Sequence, residues 1–175
     1  MIRLWRCEIC GDPYVGKSAP DNCPFCGAHK QHIKLATEAQ VTFDVPLCEK
    51  DKANVQHALE VEVSNATFYM CAAATTDDAE GKLLFKALGK IEAEHAGIWK
   101  KVLKLSDMPR GSDQCHSKNI QNLAESHARE ERAIAFYKKA ALESENERIR
   151  QLFTSLVDIE NDHLHLSEER MRKHP

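Results

Sequence analysis

Two segments of the chain set the same two residue types at the same spacing. IEAEH, residues 91–95, carries Glu92 and His95, and IENDH, residues 159–163, carries Glu160 and His163. Three residues apart on a helix, a carboxylate and an imidazole are neighbours on one face. That face should be apolar. It runs Phe85, Leu88, Glu92, His95, Trp99 in one segment and Phe153, Leu156, Glu160, His163 in the other, in steps of three and four. Two further segments place a single glutamate on such a stripe: Val55, Leu59, Glu62, Ala66, Tyr69, Ala73, and Leu123, His127, Glu130, Ile134, Tyr137, Ala141. Buried carboxylates left unpaired cost several kcal/mol each or take up a proton. No Lys or Arg occupies the matching inward positions, so the charge must be met otherwise. Two divalent metals balance four carboxylates. Oxygen and imidazole donors suit iron or manganese better than a closed structural zinc site.

Around this set the sequence raises secondary candidates. Tyr69 and Tyr137 follow Glu62 and Glu130 by two turns, and are expected either to hydrogen-bond a ligand carboxylate or to fill the core. His127 takes the inward place that Leu59 has in the first segment. It reads first as a core histidine bonded to a backbone carbonyl, with an extra ligand or proton donor as the alternative. Glu94, Asp162 and His165 read as solvated flanks.

A second chemistry lies near the N-terminus, where Cys7-x2-Cys10-Gly11 and Cys23-Pro24-x-Cys26-Gly27 are separated by twelve residues. Each pair can wrap one side of a tetrahedral metal, the glycine turning the backbone so that amides point at sulfur. Iron and zinc share four-thiolate tetrahedra, and the spacing leaves both open. Cys48, Cys71 and Cys115 have no partner spacing and read as buried thiols or linker residues.

The elements that must position these groups follow from periodicity and punctuation. Residues 1–40 lack helical periodicity and carry Gly11, Pro13, Gly16, Pro20, Pro24 and Gly27. Residues 41–47, VTFDVPL, read as an extended linker, and residues 48–175 as helical. Breaks predict helices over 49–75, 79–104, 117–143 and 146–172, each about 40 Å long. The middle connection is long enough to run the length of a bundle. Two short hairpins around one long crossover give the ferritin-like connectivity. Shifting the chain by 68 residues (160 − 92) lays Glu62 on Glu130, Phe85 on Phe153, Glu92 on Glu160 and His95 on His163 without a gap. Two like hairpins imply a pseudo-twofold bundle with a site on its axis. A Glu from each of two helices plus Glu-x2-His from each of the others is the arrangement of di-iron and di-manganese carboxylate bundles.

The 175 residues allow one ordinary domain, or one domain plus a small appendage, and 42% hydrophobic residues suffice for a packed core. A net charge of −3 gives no footprint for nucleic acid. The longest uncharged run, Val63–Thr76, falls short of a membrane span. The start lacks the apolar stretch of a signal peptide, and paired cysteines in an unexported chain favour metal over disulfides. A reducing, cytoplasmic compartment is expected.

The segment CEICGDPYVGKSAPDNCPFCGA resembles the short rubredoxin-like module, and the remainder resembles the di-iron bundle of rubrerythrins, with the module N-terminal as in reverse rubrerythrins. The resemblance spans nearly the whole chain. It implies a mainly α fold, a ferritin-like four-helix bundle with a small N-terminal rubredoxin-like β/knuckle domain. It implies one iron held by Cys7, Cys10, Cys23 and Cys26, and two held by Glu62, Glu92, His95, Glu130, Glu160 and His163. The activity implied is reduction of hydrogen peroxide, or dioxygen, to water, in protection against oxidative stress. Electrons would come from a reductase or small electron carrier and pass through the cysteine-bound iron. The linker is expected to leave the module short of the middle of its own bundle, which predicts a head-to-tail homodimer. Two departures stand out. Asp12-Pro13 takes the place of a second aromatic in many such modules. Many rubrerythrins also carry a further glutamate on the third helix, for which Glu125, His127 and Glu131 are imperfect candidates. The rivals are a ferroxidase or iron-handling ferritin-like protein, and a zinc-ribbon helical scaffold for protein interaction.

Overall fold

The computed structural model describes residues 1–173; His174 and Pro175, the end of the expected bundle, lie outside them. The chain begins with a three-stranded antiparallel sheet of order β2-β1-β3: β1 (Arg3–Cys7), β2 (Pro13–Gly16) and β3 (Ile33–Leu35). Trp5 lies opposite Tyr14 on one side and Leu35 on the other. The cysteine pairs sit on the two turns of this module. Gly11 and Gly27, each just after a pair, hold φ values of 89° and 79°, a left-handed conformation that side chains resist. The amide aimed at sulfur is the next one along: Asp12 N donates to Cys10 Sγ at 3.5 Å.

Four helices follow: α1 (Glu49–Thr75), α2 (Ala79–Val102), α3 (Asn119–Glu143) and α4 (Glu147–Lys173). Cys48 is the N-cap of α1, its Sγ accepting from Asp51 N at 3.4 Å, and Asp78 caps α2 through Gly81 N at 2.5 Å. α2 ends two residues earlier than the periodicity predicts, because Lys104 turns the chain at φ 55° into the crossover. α1 pairs with α2 and α3 with α4 as the two hairpins. The result is the mainly α, ferritin-like bundle with a small N-terminal sheet. None of the described helices is long and apolar enough to cross a membrane.

The crossover corrects the reading of two cysteines. Cys71 of α1 and Cys115 are joined in a disulfide, with Cα atoms 5.8 Å apart and 44 residues between them in sequence. The crossover retraces α1 from one end to the other, and that path brings the two together. It is a pairing the expected reducing compartment did not foresee.

The module corrects a larger expectation. It does not stop short of its own bundle but lies on the α2–α4 face and reaches its middle. Its cysteines and Ile33 share one apolar cluster with Trp99, Leu152 and Ile159. A Cβ on Gly27 would come within 3.1 Å of Ile159. His29 Nε2 lies 2.7 Å from Asp162, and Lys101 Nζ donates to Cys10 O at 3.0 Å. Arg148, at the start of α4, is the fastening. It donates from Nε to Thr42 O of the linker at 3.1 Å and from Nη2 to Glu8 O of the module. The linker therefore folds back along the bundle, and the reach argument for a head-to-tail dimer loses its premise. Asp162 faces the module rather than bare solvent, and half-buried Glu94 lies against the module's Asp12, while His165 is exposed as expected.

Candidate metal centres

The thiolate group comes first in the chain. Cys7, Cys10, Cys23 and Cys26 are buried, with Cys7–Cys26 and Cys10–Cys23 sulfurs each 3.8 Å apart. A tetrahedron with metal–sulfur bonds of about 2.3 Å has edges of about 3.8 Å, so the spacing fits a single central metal. Crowding the four together divides their acidities: the hydrogen bond with Cys10 holds the Cys23 thiol far down, and the same contact pushes Cys10 up.

In the bundle, the sequence places one glutamate on each helix and adds histidine one turn on in α2 and α4. Folding brings all six to the centre. Glu62, Glu92, His95 and Glu160 form one group, and Glu92, Glu130, Glu160 and His163 the other, with the donor atoms of each group within 4.8 Å of one another. Glu92 and Glu160 belong to both groups, the position of bridging carboxylates. His95 Nδ1 lies 3.2 Å from Glu92, 3.4 Å from Glu160 and 3.6 Å from Glu62. His163 Nδ1 lies 2.9 Å from Glu160 and 3.1 Å from Glu92.

Whether these residues fit a metal pair can be judged from their unmet bonds. Each of the four glutamates has one buried oxygen with no hydrogen-bond partner: Glu62 Oε2, Glu92 Oε1, Glu130 Oε2 and Glu160 Oε1. Burial, then the nearby Glu92 and Glu160 charges, pushes Glu62 and Glu130 well above the ordinary carboxylate range. Burial would raise Glu92 as well, but the His163 and His95 hydrogen bonds outweigh it and hold Glu92 low. The imidazoles answer in kind. Burial disfavours their charge, yet Glu62 at His95 and Glu160 at His163 drive both well above the histidine range. The cage therefore meets its carboxylate charge with protons, on the two imidazoles and on Glu62 and Glu130, and still leaves four oxygens unbonded. Two divalent cations would take the place of those protons and occupy those oxygens.

The tyrosines resolve in favour of orientation rather than filling, and they cross between hairpins. Tyr137 of α3 donates to Glu62 of α1 at 2.5 Å, and Tyr69 of α1 donates to Glu130 of α3. Each fixes one oxygen of its glutamate and leaves the other without a hydrogen-bond partner.

His127 joins neither group and bonds no backbone carbonyl. It is half-buried, with Nδ1 3.4 Å from Ser167 Oγ and Nε2 3.7 Å from Glu131. Its inward place belongs to Ser126, fully buried and 2.9 Å from Tyr69 Oη. Glu125 pairs with Arg129 and Arg132 instead, so none of the three candidates for a further α3 ligand reaches the cluster.

One functional contact had no side-chain signal. His95 Nε2 lies 2.8 Å from the backbone carbonyl of Cys26. A carbonyl only accepts, so Nε2 carries a proton and keeps Nδ1 turned toward the carboxylates, as the nitrogen that would meet a metal. The same imidazole thus touches both candidate centres. Nearby, Glu94 is pushed up to about 7 by burial and by its hydrogen bond with Asp12.

Comparison with known proteins fits this geometry. The family model described as "Rubrerythrin, rubredoxin-like domain" matches residues 5–34, and that described as "Rubrerythrin" matches residues 53–171, more than half of the chain. No curated protein and no solved structure matches.

Proposed function

The chain belongs to the rubrerythrin family, and from that premise we propose that this di-iron oxidoreductase is a peroxidase that reduces hydrogen peroxide to water, with electrons relayed through the rubredoxin-like iron. Cys7, Cys10, Cys23 and Cys26 would hold the single iron, and Glu62, Glu92, His95, Glu130, Glu160 and His163 the pair. With iron bound, the pair would supply the two electrons of H2O2 + 2e⁻ + 2H⁺ giving two waters, and the thiolate-bound iron would supply electrons to it one at a time. The observation that carries the reading is the 2.8 Å contact of His95 Nε2 with Cys26 O. It puts one hydrogen bond between a ligand of each centre, a connection that a mineral store or a passive scaffold would not need.

The chain's own residues prepare the reaction. Glu92 and Glu160 face both halves of the cage, and Tyr69 and Tyr137 orient the outer carboxylates. The proton held at His95 Nε2 by the Cys26 carbonyl fixes the ring, so its other nitrogen is available as a donor. All four glutamates are fully buried, which keeps bulk solvent off the reacting centre. The relay would run within one chain, and a soluble reductase or carrier would supply it from outside.

The test is metal analysis and visible spectroscopy of protein purified without oxygen, followed by peroxide. About three irons per chain and a red thiolate chromophore are expected. Reduced protein should be reoxidised rapidly by stoichiometric peroxide. Zinc in the thiolate group would end the relay, and iron particles of many hundreds of atoms after aerobic loading would make the chain a store instead.

A further inference from the structure

The α2–α4 face of the bundle is covered by the module. The opposite face, between α1 and α3, carries an opening of about 270 Å³ whose lining includes Val61, Asn65, Arg129, Ala133 and Phe136. Val61 and Asn65 flank Glu62 at one residue before and three after. Arg129 and Ala133 flank Glu130 in the same way. Residues four apart share a helix face, so the lining is the stripe beside each glutamate, on both helices, at the level of the cluster.

The floor of this opening has an unmet bond. Asn65 is 3% exposed and lines the cavity, and its Nδ2 has no hydrogen-bond partner. Arg129 Nη1 donates to Asn65 Oδ1 at 3.2 Å, and a guanidinium can only donate, so the amide orientation is fixed with NH2 as the free group. A buried donor kept without a partner points to a ligand. Charge narrows its type. Arg129 is neutralised by Asp113 at 3.0 Å and Glu125 at 2.9 Å, and Arg132 by Glu125 at 3.4 Å. The rim is nearly neutral and does not select a strong anion or a metal cation. It suits a small neutral molecule that can accept a hydrogen bond at one oxygen and donate at another. Glu62 and Glu130 of the cluster each stand one residue along the chain from this lining, next to Val61 and Arg129.

We propose that the α1–α3 opening is the route by which hydrogen peroxide enters the cluster, with Asn65 Nδ2 as the positioning group that receives it. This rests on the peroxidase reading and assigns reductant and oxidant to opposite faces of the bundle. Asn65 has no counterpart in the second hairpin, where the residue 68 positions on is Ala133, so the opening has one polar wall and one small apolar one.

The route is tested by entry kinetics rather than turnover. Azide is added to the iron-loaded, oxidised full chain in a stopped-flow spectrometer, and growth of its ferric charge-transfer band is timed. Ala133→Leu, which fills the opening, should slow association by about tenfold or more and slow release in parallel, leaving Kd within about threefold. Asn65→Leu, of similar volume, should slow association by about threefold or more, and it decides the matter if Ala133→Leu does not fold. Association within about twofold of the parent in folded Asn65→Leu, or a weakened Kd at unchanged association rate, would overturn the route while leaving the peroxidase reading intact. A parent protein with no azide band at all would overturn the iron-pair reading and the route with it.

Discussion

His95 and His163 occupy equivalent places in the two hairpins, and their Nδ1 atoms look into the same cage. Their outer nitrogens do not match. His95 is fully buried with Nε2 bound to Cys26 O, whereas among the described residues His163 has no such cap, and it keeps 6% of its surface exposed. The repeat duplicates the donors, and the N-terminal module then breaks the symmetry by covering one half of the α2–α4 face. A twofold cage can hold two metals. On the proposed relay, only the asymmetry tells electrons where to enter. The α1–α3 face repeats the lesson, where Asn65 stands opposite Ala133.

The largest effect should come from the residues the two halves share. Glu92→Ala or Glu160→Ala removes a carboxylate from both groups, while Glu62→Ala or Glu130→Ala removes one from a single group. Loss of an orienting partner costs 10- to 100-fold at metal sites, so loss of a shared ligand is expected to lower peroxide reduction by more than about 100-fold. Metal analysis should show the bundle iron depleted and the thiolate chromophore unchanged. If both signals vanish together, the two centres are not independent.

The next prediction asks whether the asymmetry is internal to a chain. Cys7→Ser with Cys23→Ser removes the relay, and Glu92→Ala with Glu160→Ala removes the cage. Unfolded and refolded together, the two inactive chains should recover no turnover, because each module serves the bundle it is attached to. Recovery in mixed dimers would mean that modules are exchanged between chains.

These contrasts also show what was legible beforehand. The four glutamates, two histidines and four cysteines declare themselves because each set is local: three- and four-residue steps on one helix, or two residues between cysteines. Ambiguity began where a single step decides. Leu123 can be followed inward by Ser126 or His127, and the structure takes the serine, which bonds Tyr69. Likewise it is Asn65, not Ala66, that is buried one turn after Glu62. Contacts across the chain left less trace. Cys71 and Cys115 meet only because the crossover retraces α1. The Cys26 carbonyl is a backbone atom, and no residue type announces it. The docking of the module followed from neither helix periodicity nor linker length, since it is made by contacts distant in sequence, Arg148 to carbonyls of linker and module, His29 to Asp162 and Lys101 to Cys10 O.

A milder perturbation compares the two tyrosines. Tyr137→Phe frees the Glu62 oxygen it binds, and Tyr69→Phe does the same at Glu130, where Ser126 remains beside the vacated position. Both should lower peroxide reduction by about tenfold. The loss should be larger for Tyr137→Phe, because Ser126 can admit a water that takes over part of the tyrosine's role. Iron content should stay near that of the parent in each. Equal losses would mean that Ser126 does not compensate, and no loss would return both tyrosines to core filling.

The smallest effect should come from loosening the module without touching either centre. Arg148 is half-buried and makes charge-assisted hydrogen bonds to Thr42 O and Glu8 O, with its guanidinium 5.8 Å from the Phe43 ring centroid. Arg148→Ala removes these contacts, while His29 with Asp162, Lys101 with Cys10 O and the apolar cluster remain. Each lost bond to a charged donor is worth about 1.5 kcal/mol or more, so docking should weaken measurably without failing. The His95 side would then resemble the uncapped His163 side for part of the time. The expected outcome is a loss of about three- to tenfold in the rate at which the thiolate iron re-reduces the bundle, in proportion to the undocked fraction. Peroxide oxidation of fully reduced protein should keep its parent rate, because that step does not require the module to be docked. Single-turnover stopped flow separates the two. Unchanged re-reduction in Arg148→Ala would mean that the remaining contacts hold the module alone, and a slowed oxidation step would place Arg148 in the bundle chemistry rather than in docking.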